Sequence, residues 1–125
     1  MSGPFDSLPE IQPRQLFEGI TARPVNGERI TLAVVELDPD AVVAEHSHEN
    51  EQLGIVLRGA LTLRVGGEER TLGPGETWRI APNVGHSGRA GQDGAVVIDV
   101  FSPPRADWEQ LDQLDAQQPR WPGSA

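Results

Sequence analysis

Punctuation limits what this chain can fold into. From Glu28 to Ser102 it passes through ERITLAVVEL, AVVAEHSH, EQLGIVLRG, ALTLRVGGEERTL, ETWRIAP and AVVIDVFS, short segments rich in β-branched and aliphatic residues. Turn residues break these segments at intervals of about 8 to 12 residues, the cadence of an all-β sandwich or barrel. The firmest local expectation is a hairpin at Gly66-Gly67, because a two-residue loop needs positive φ and glycine supplies it. Before that turn Leu61, Leu63 and Val65 alternate with Thr62 and Arg64, so the strand should have one buried and one wet face. The run ERITLAVVEL is mostly apolar on both faces, which suits a strand held between two layers. Asp38-Pro39-Asp40 and Gly73-Pro74-Gly75 turn the chain.

The ends read differently. Three prolines and no periodicity make residues 1–14 an arm, with regular structure expected from about Gln15. Pro103-Pro104 stops the last strand, AVVIDVFS. Beyond it RADWEQLDQLDAQQ carries Trp108, Leu111 and Leu114 at i, i+3 and i+6, which predicts a short amphipathic helix, and PRWPGSA reads as a loose tail. With 125 residues the chain makes one domain around one core: a barrel over about 15–104, the arm 1–14, and a C-terminal helix and tail over 105–125.

Charge and missing residue types narrow the chemistry. Nineteen acidic against ten basic side chains give a net charge of −9, which disfavours phosphate backbones and anionic lipid as partners. No apolar run approaches the ~20 residues that cross a bilayer, and MSGPFDSLPE has neither the basic nor the apolar segment of a secretory signal. The expectation is a cytoplasmic protein without nucleic acid or membrane partners. Cysteine is absent, so there are no disulfides and no thiolate ligands or nucleophiles. Every basic residue is arginine, which leaves no lysine for imine chemistry. Gly85-His86-Ser87-Gly88 lacks the spacing of a nucleophile elbow, so Ser87 is read as a turn serine.

The histidines are the candidate site. Side chains alternate along a strand, so His46 and His48 point the same way. Gln52 follows four residues later, and His86 comes after a second strand and a turn. From spacing alone the pair is either a metal site or a hydrogen-bonded surface pair. The segments HSHENEQLGIVLRG and GETWRIAPNVGH resemble the two motifs of the cupin superfamily. In that family His-x-His, a later Glu or Gln, and one more His hold a metal inside a double-stranded β-helix, a small jelly-roll barrel. The resemblance spans about residues 28–102 and implies one divalent ion on His46, His48, Gln52 and His86. All-N/O ligation admits Ni, Zn, Fe, Mn, Co or Cu.

Three departures from the cupin pattern stand out. Asp40 occupies a place where the first motif often begins with glycine, Ala81 and Asn83 replace the usual Pro and Gly, and Gln52 replaces the common Glu. Asp and Asn tolerate left-handed backbone, so those changes threaten little. The glutamine changes the chemistry: with three neutral histidines, Glu would leave a divalent site at about +1 and Gln leaves it at about +2. Such a site favours an anion and a Lewis-acid role. Any general acid or base is then a carboxylate or a metal-bound water.

A second constellation lies in DVFSPPR. Asp99, Phe101 and Val97 share one face of the last strand, and Arg105 follows the proline stop. A carboxylate on an apolar strand suggests a raised pKa and proton transfer; an Asp99–Arg105 ion pair closing the barrel rim, with Phe101 as core, satisfies the same spacing. Among cupins the chain resembles the KdgF type, through HSH…Q, the preceding ITARPVNGERITLAVVELDPDAVVAEHSH and D-x-F-x-x-x-R. That resemblance implies linearisation of the 4,5-unsaturated uronates left by pectin and alginate lyases. It makes Asp99 the proton-transfer residue, Phe101 the wall against the ring and Arg105 the clamp for the substrate carboxylate. It also implies a homodimer and a small anionic sugar acid as partner. The alternatives are a metal-dependent cupin dioxygenase or cyclase on another small carbonyl compound, and a non-enzymatic cupin that binds a small anion. Arg58, Arg64 and Arg79 read as solvated or paired, Trp78 as core or interface, and Trp108 as packing for the C-terminal helix.

Overall fold

The computed structural model describes residues 3–123; Met1 and Ser2 of the expected arm, and Ser124 and Ala125 of the expected tail, lie outside the described residues. The strands are β1 (Arg14–Phe17), β2 (Ile20–Asn26), β3 (Thr31–Leu37), β4 (Val42–His46), β5 (Glu51–Val65), β6 (Glu68–Leu72), β7 (Thr77–Ile80) and β8 (His86–Ser102). All their pairings are antiparallel. Among the described residues no helix is long and apolar enough to cross a membrane.

Two long bent strands organise the molecule. β5 and β8 pair from Glu51↔Ser102 to Val65↔His86, and each belongs to two arms. In the first arm β1, β2, β3, the C-terminal half of β8, the N-terminal half of β5 and β7 lie side by side. In the second, β4, the other halves of β8 and β5, and β6 do so. The register slips between Val56 and Arg58 and between Gly59 and Leu61, which marks the corner. Gly59 and Gly94 both have φ of +78°, and a Cβ on Gly59 would sit 2.1 Å from the Gly94 carbonyl oxygen. Glycine alone permits that approach. The sequence reads EQLGIVLRG and ALTLRV as separate runs and begins the last strand at Ala95. The structure joins each through the corner, because partner strands on both sides carry the pairing past glycines that look locally like breaks.

Inward residues of the two arms meet in one core. Ile20, Val35, Val56 and Val97 of the first arm pack with Leu61 and Ala90 of the second. This is the all-β jelly-roll barrel that the cadence and the resemblance lead one to expect. The hairpin falls where expected, with Val65↔Glu68 flanking Gly66 at φ +60°. Asp40 and Asn83, two of the departures from the cupin motifs, are the non-glycine residues at positive φ among the described residues, at 61° and 66°. Their short polar side chains stand in for glycine in that geometry.

The C-terminal segment differs from its reading. The expected helix shrinks to one 3-10 turn, Ala106–Gln110, and the arm adds another at Leu8–Glu10. Trp108 and Leu111 still share a side, because three residues per turn satisfies the same spacing. Beyond the turn, backbone partners on β1 win over helix: Gln15 donates to the Asp112 carbonyl at 3.0 Å and Leu114 to the Pro13 carbonyl at 2.8 Å. The segment read as a loose tail is strapped across the outer face of β2 and β3. Arg23, buried there, donates to Glu36 at 2.9 Å and to the Gln117 carbonyl at 2.9 Å. Glu36 also accepts the backbone N–H of Arg120 at 2.7 Å. Arg58 donates to the Arg120 carbonyl at 2.9 Å. The strap is the second layer that β3, apolar on both faces, requires.

Candidate metal centre and pocket

The barrel brings the three histidines together from separate elements. His46 ends β4 and is the register partner of His86, the first residue of β8; His48 lies in the bend after β4. Ring centroids are 4.2 Å apart for His46 and His86, 4.9 Å for His48 and His86, and 5.6 Å for His46 and His48. One donor nitrogen from each ring lies within 4.8 Å of the others, so the three could hold a metal ion.

Backbone carbonyls decide which nitrogens face inward. His46 Nδ1 lies 2.8 Å from the Ala44 oxygen, His48 Nδ1 3.0 Å from the Asn50 oxygen, and His86 Nδ1 2.9 Å from the Val84 oxygen. A carbonyl only accepts, so each Nδ1 carries the proton and each Nε2 offers a lone pair. Burial lowers the pKa of His86, and burial followed by the Arg105 charge lowers that of His48, so these rings favour their neutral form. His86 Nε2 is buried without a hydrogen-bond partner among the described residues. Asn50, itself buried, holds the His48 bend by donating to the Pro103 carbonyl at 2.6 Å.

Gln52 lies across the barrel on β5, beside Phe101 on β8. Its Nε2 donates to Asp99 Oδ1 at 2.9 Å, which fixes the amide so that Oε1 faces His48 Nε2 at 3.1 Å. Two acceptors then confront each other next to a third unpartnered one, an arrangement that a cation between them would relieve. The residues present therefore fit a divalent ion. A glutamate at position 52 would instead set a second carboxylate against Asp99. Only an amide offers an oxygen to one side and an N–H to the other.

Asp99 is buried, and burial raises its pKa to about 6 against the pull of the Gln52 N–H, the Arg105 charge and the Trp78 N–H. Its neighbours across the sheet are the small residues Ala33 and Gly54, and Asp99 itself lines the cavity. The alternative Asp99–Arg105 ion pair does not form. Arg105 pairs with Asp107 instead, Nε at 3.1 Å and Nη2 at 2.9 Å, because both sit on the same 3-10 turn. That pairing lowers the pKa of Asp107. The guanidinium carbon lies 4.8 Å from the Phe101 ring centre and 4.7 Å from that of Trp108. The bidentate hold on one edge and the two rings leave the Nη1 side for a ligand.

These groups line one cavity of about 200 Å³, whose wall also includes the apolar side chains Phe17, Val43 and Leu111. It takes a single small molecule. Every expected site residue, His46, His48, Gln52, His86, Asp99, Phe101 and Arg105, meets at this cavity or at the ligand cluster on its wall. Sequence reasoning missed Trp108 as a cavity wall, Asp107 as the partner of Arg105, and Trp78 and Gly54 beside Asp99. The Arg, Asp and Trp placed within nine residues after Asp99 were the available signal for the first two.

A two-armed β-barrel with a histidine cluster in its cavity defines the class. A family model described as the cupin domain matches residues 33–101. The pectin degradation protein KdgF of Dickeya dadantii (strain 3937) is 28% identical over 96 residues, 75% of this chain and 87% of that protein. The structure of KdgF from Halomonas sp. aligns with a TM-score of 0.78 at 30% identity, over 85% of this chain and 98% of the other. An RmlC-like cupin from Shewanella frigidimarina reaches 0.79 at 23% identity over 85% and 96%, a likeness of fold. The chain belongs to the cupin family and, within it, to the KdgF type.

Proposed function

We propose that the protein linearises 4,5-unsaturated uronates released in the breakdown of pectin or alginate, acting as an isomerase with one divalent metal ion held by His46, His48, Gln52 and His86. The observation that carries this reading is the 2.9 Å bond from Gln52 to Asp99, which sets a protonatable carboxyl directly beside the ligand cluster. Likeness to KdgF proteins, one of them named for pectin degradation, supports the substrate class. The bound ion would supply a Lewis acid that grips an anionic oxygen.

The chain's own residues do the rest. Arg105, steadied by Asp107, Phe101 and Trp108, receives the substrate carboxylate on its Nη1 side. Phe101 lies against the sugar ring. Opening breaks the bond between the anomeric carbon and the ring oxygen while the anomeric hydroxyl loses its proton. The enolate left at C5 becomes a ketone by gaining a proton at C4. One proton leaves and one arrives, so Asp99, with a pKa of about 6, can accept the first and return the second.

Lyase-generated unsaturated galacturonate, incubated with metal-reconstituted protein and followed by proton NMR, should lose its cyclic vinyl signal faster than the blank. No acceleration rejects the proposal. Oxygen uptake with an Fe(II) requirement would point to an oxygenase, whereas turnover with redox-inert Zn supports isomerisation. Two copies per particle belong to the same proposal, and sedimentation equilibrium at one or two chain masses decides it.

A further inference from the structure

Four strands meet in one row at Asp99. Ala33 on β3, Asp99 on β8, Gly54 on β5 and Trp78 on β7 are successive register partners, so all four present the same face to the barrel interior. Gly54 is a requirement of that row. A Cβ at position 54 would fall 2.1 Å from Cε2 and Cζ2 of Trp78 and 2.5 Å from its Nε1. The indole therefore lies across residue 54, spanning the strand between β7 and Asp99.

Trp78 is 8% exposed, and its indole N–H, which can only donate, is buried without a partner of hydrogen-bonding geometry among the described residues. Leaving such a donor unpaired costs stability. Neither Ala33 nor Gly54 has a side chain able to accept, which leaves the Asp99 carboxyl as the acceptor in the row. Gln52 holds Oδ1 and leaves Oδ2 free.

We infer that Trp78 is a positioning residue for Asp99: its indole N–H, laid across Gly54, donates to the carboxylate oxygen that Gln52 leaves free and fixes the orientation of the carboxylate. With Gln52 on one oxygen and Trp78 on the other, the carboxylate cannot rotate, and the lone pair used in proton transfer keeps one direction. The inference rests on the reading of Asp99 as the proton-transfer residue, but one of its tests does not need turnover.

The three tryptophans give three indole N–H resonances, assigned one by one from Trp→Phe variants. Asp99→Asn should move the Trp78 resonance upfield, since an amide oxygen accepts more weakly than a carboxylate, and leave that of Trp121 in place. Trp78→Phe, which keeps a ring but loses the N–H, should lower kcat about tenfold, the worth of one hydrogen bond to a charged group, with KM within about twofold. In an Asp99→Asn background the same substitution should cost nothing further. Gly54→Ala should reproduce the loss by displacing the indole. An unmoved Trp78 resonance, an unchanged kcat in Trp78→Phe, or equal losses in both backgrounds would overturn the inference. Absence of turnover in the wild type with the resonance shift intact would reject the uronate reading and leave the contact standing.

Discussion

One polar cluster is buried on the outer face of the first arm and another faces inward between the two arms, and the clusters are built on opposite terms. On the outer face Arg23 and Glu36 pair at 2.9 Å beneath the C-terminal strap, and Arg120 adds a second cation to the same carboxylate at 3.5 Å. Donors there meet acceptors; among the described residues Arg23 Nε is the one buried atom of that cluster left over. On the inner face three imidazole lone pairs and an amide oxygen face one another, beside a carboxyl that burial holds near pH 6. A closed cluster stabilises by being complete. An acceptor-rich cluster costs stability until something arrives to complete it, which is the physical signature of a binding site.

Breaking each cluster in turn tests the contrast. The largest effect belongs to the inner side: Asp99→Asn should lower kcat by about 10²–10⁴-fold, the range of one general acid–base group, while circular dichroism shows the fold retained. On the outer side Glu36→Gln leaves Arg23 buried and uncompensated, and should lower the unfolding free energy by about 3–5 kcal/mol in urea titrations. KM should stay unchanged in that variant, because the strap does not reach the cavity.

How much of this could be read in advance follows from the range of the interactions involved. The Gly66-Gly67 hairpin was legible because it is made by neighbours in sequence. The convergence of His46 and His48 was legible from strand alternation, although His48 lies just past the end of β4. Asp99, Phe101 and Arg105 stood out because a carboxylate interrupts an apolar strand and an arginine follows its proline stop. What stayed hidden was decided by pairing between distant segments. Trp78 meets Asp99 only through the register of β7, β5 and β8, and the strap exists only because β3 has a second face to cover. Helical spacing in 105–118 was real, but backbone partners on β1 were available and took precedence.

Smaller effects sharpen the contrast. The raised pKa of Asp99 means that the folded chain favours its neutral form. The stability from that preference is present below the ordinary carboxyl value of 3.8 and is lost as pH rises through about 6. With a chelator present, wild type should therefore lose stability relative to Asp99→Asn between about pH 4 and pH 7, by on the order of 3 kcal/mol. Thermal unfolding of the two proteins across that range checks the sign; a gain for wild type would contradict it. The smallest effect concerns a turn: Asn83→Ala, at φ 66°, should cost about 1 kcal/mol, and Asn83→Gly should cost nothing measurable.

The central claim is that the inner cluster is completed by a divalent cation. Calorimetric titration of chelator-treated protein with Zn²⁺, Ni²⁺ and Mn²⁺, run on wild type, His86→Ala and Glu36→Gln, tests it directly. One ion per chain should bind saturably to wild type and to Glu36→Gln, and that binding should be lost in His86→Ala. No saturable binding in wild type, or binding that survives removal of His86 unchanged, would contradict it.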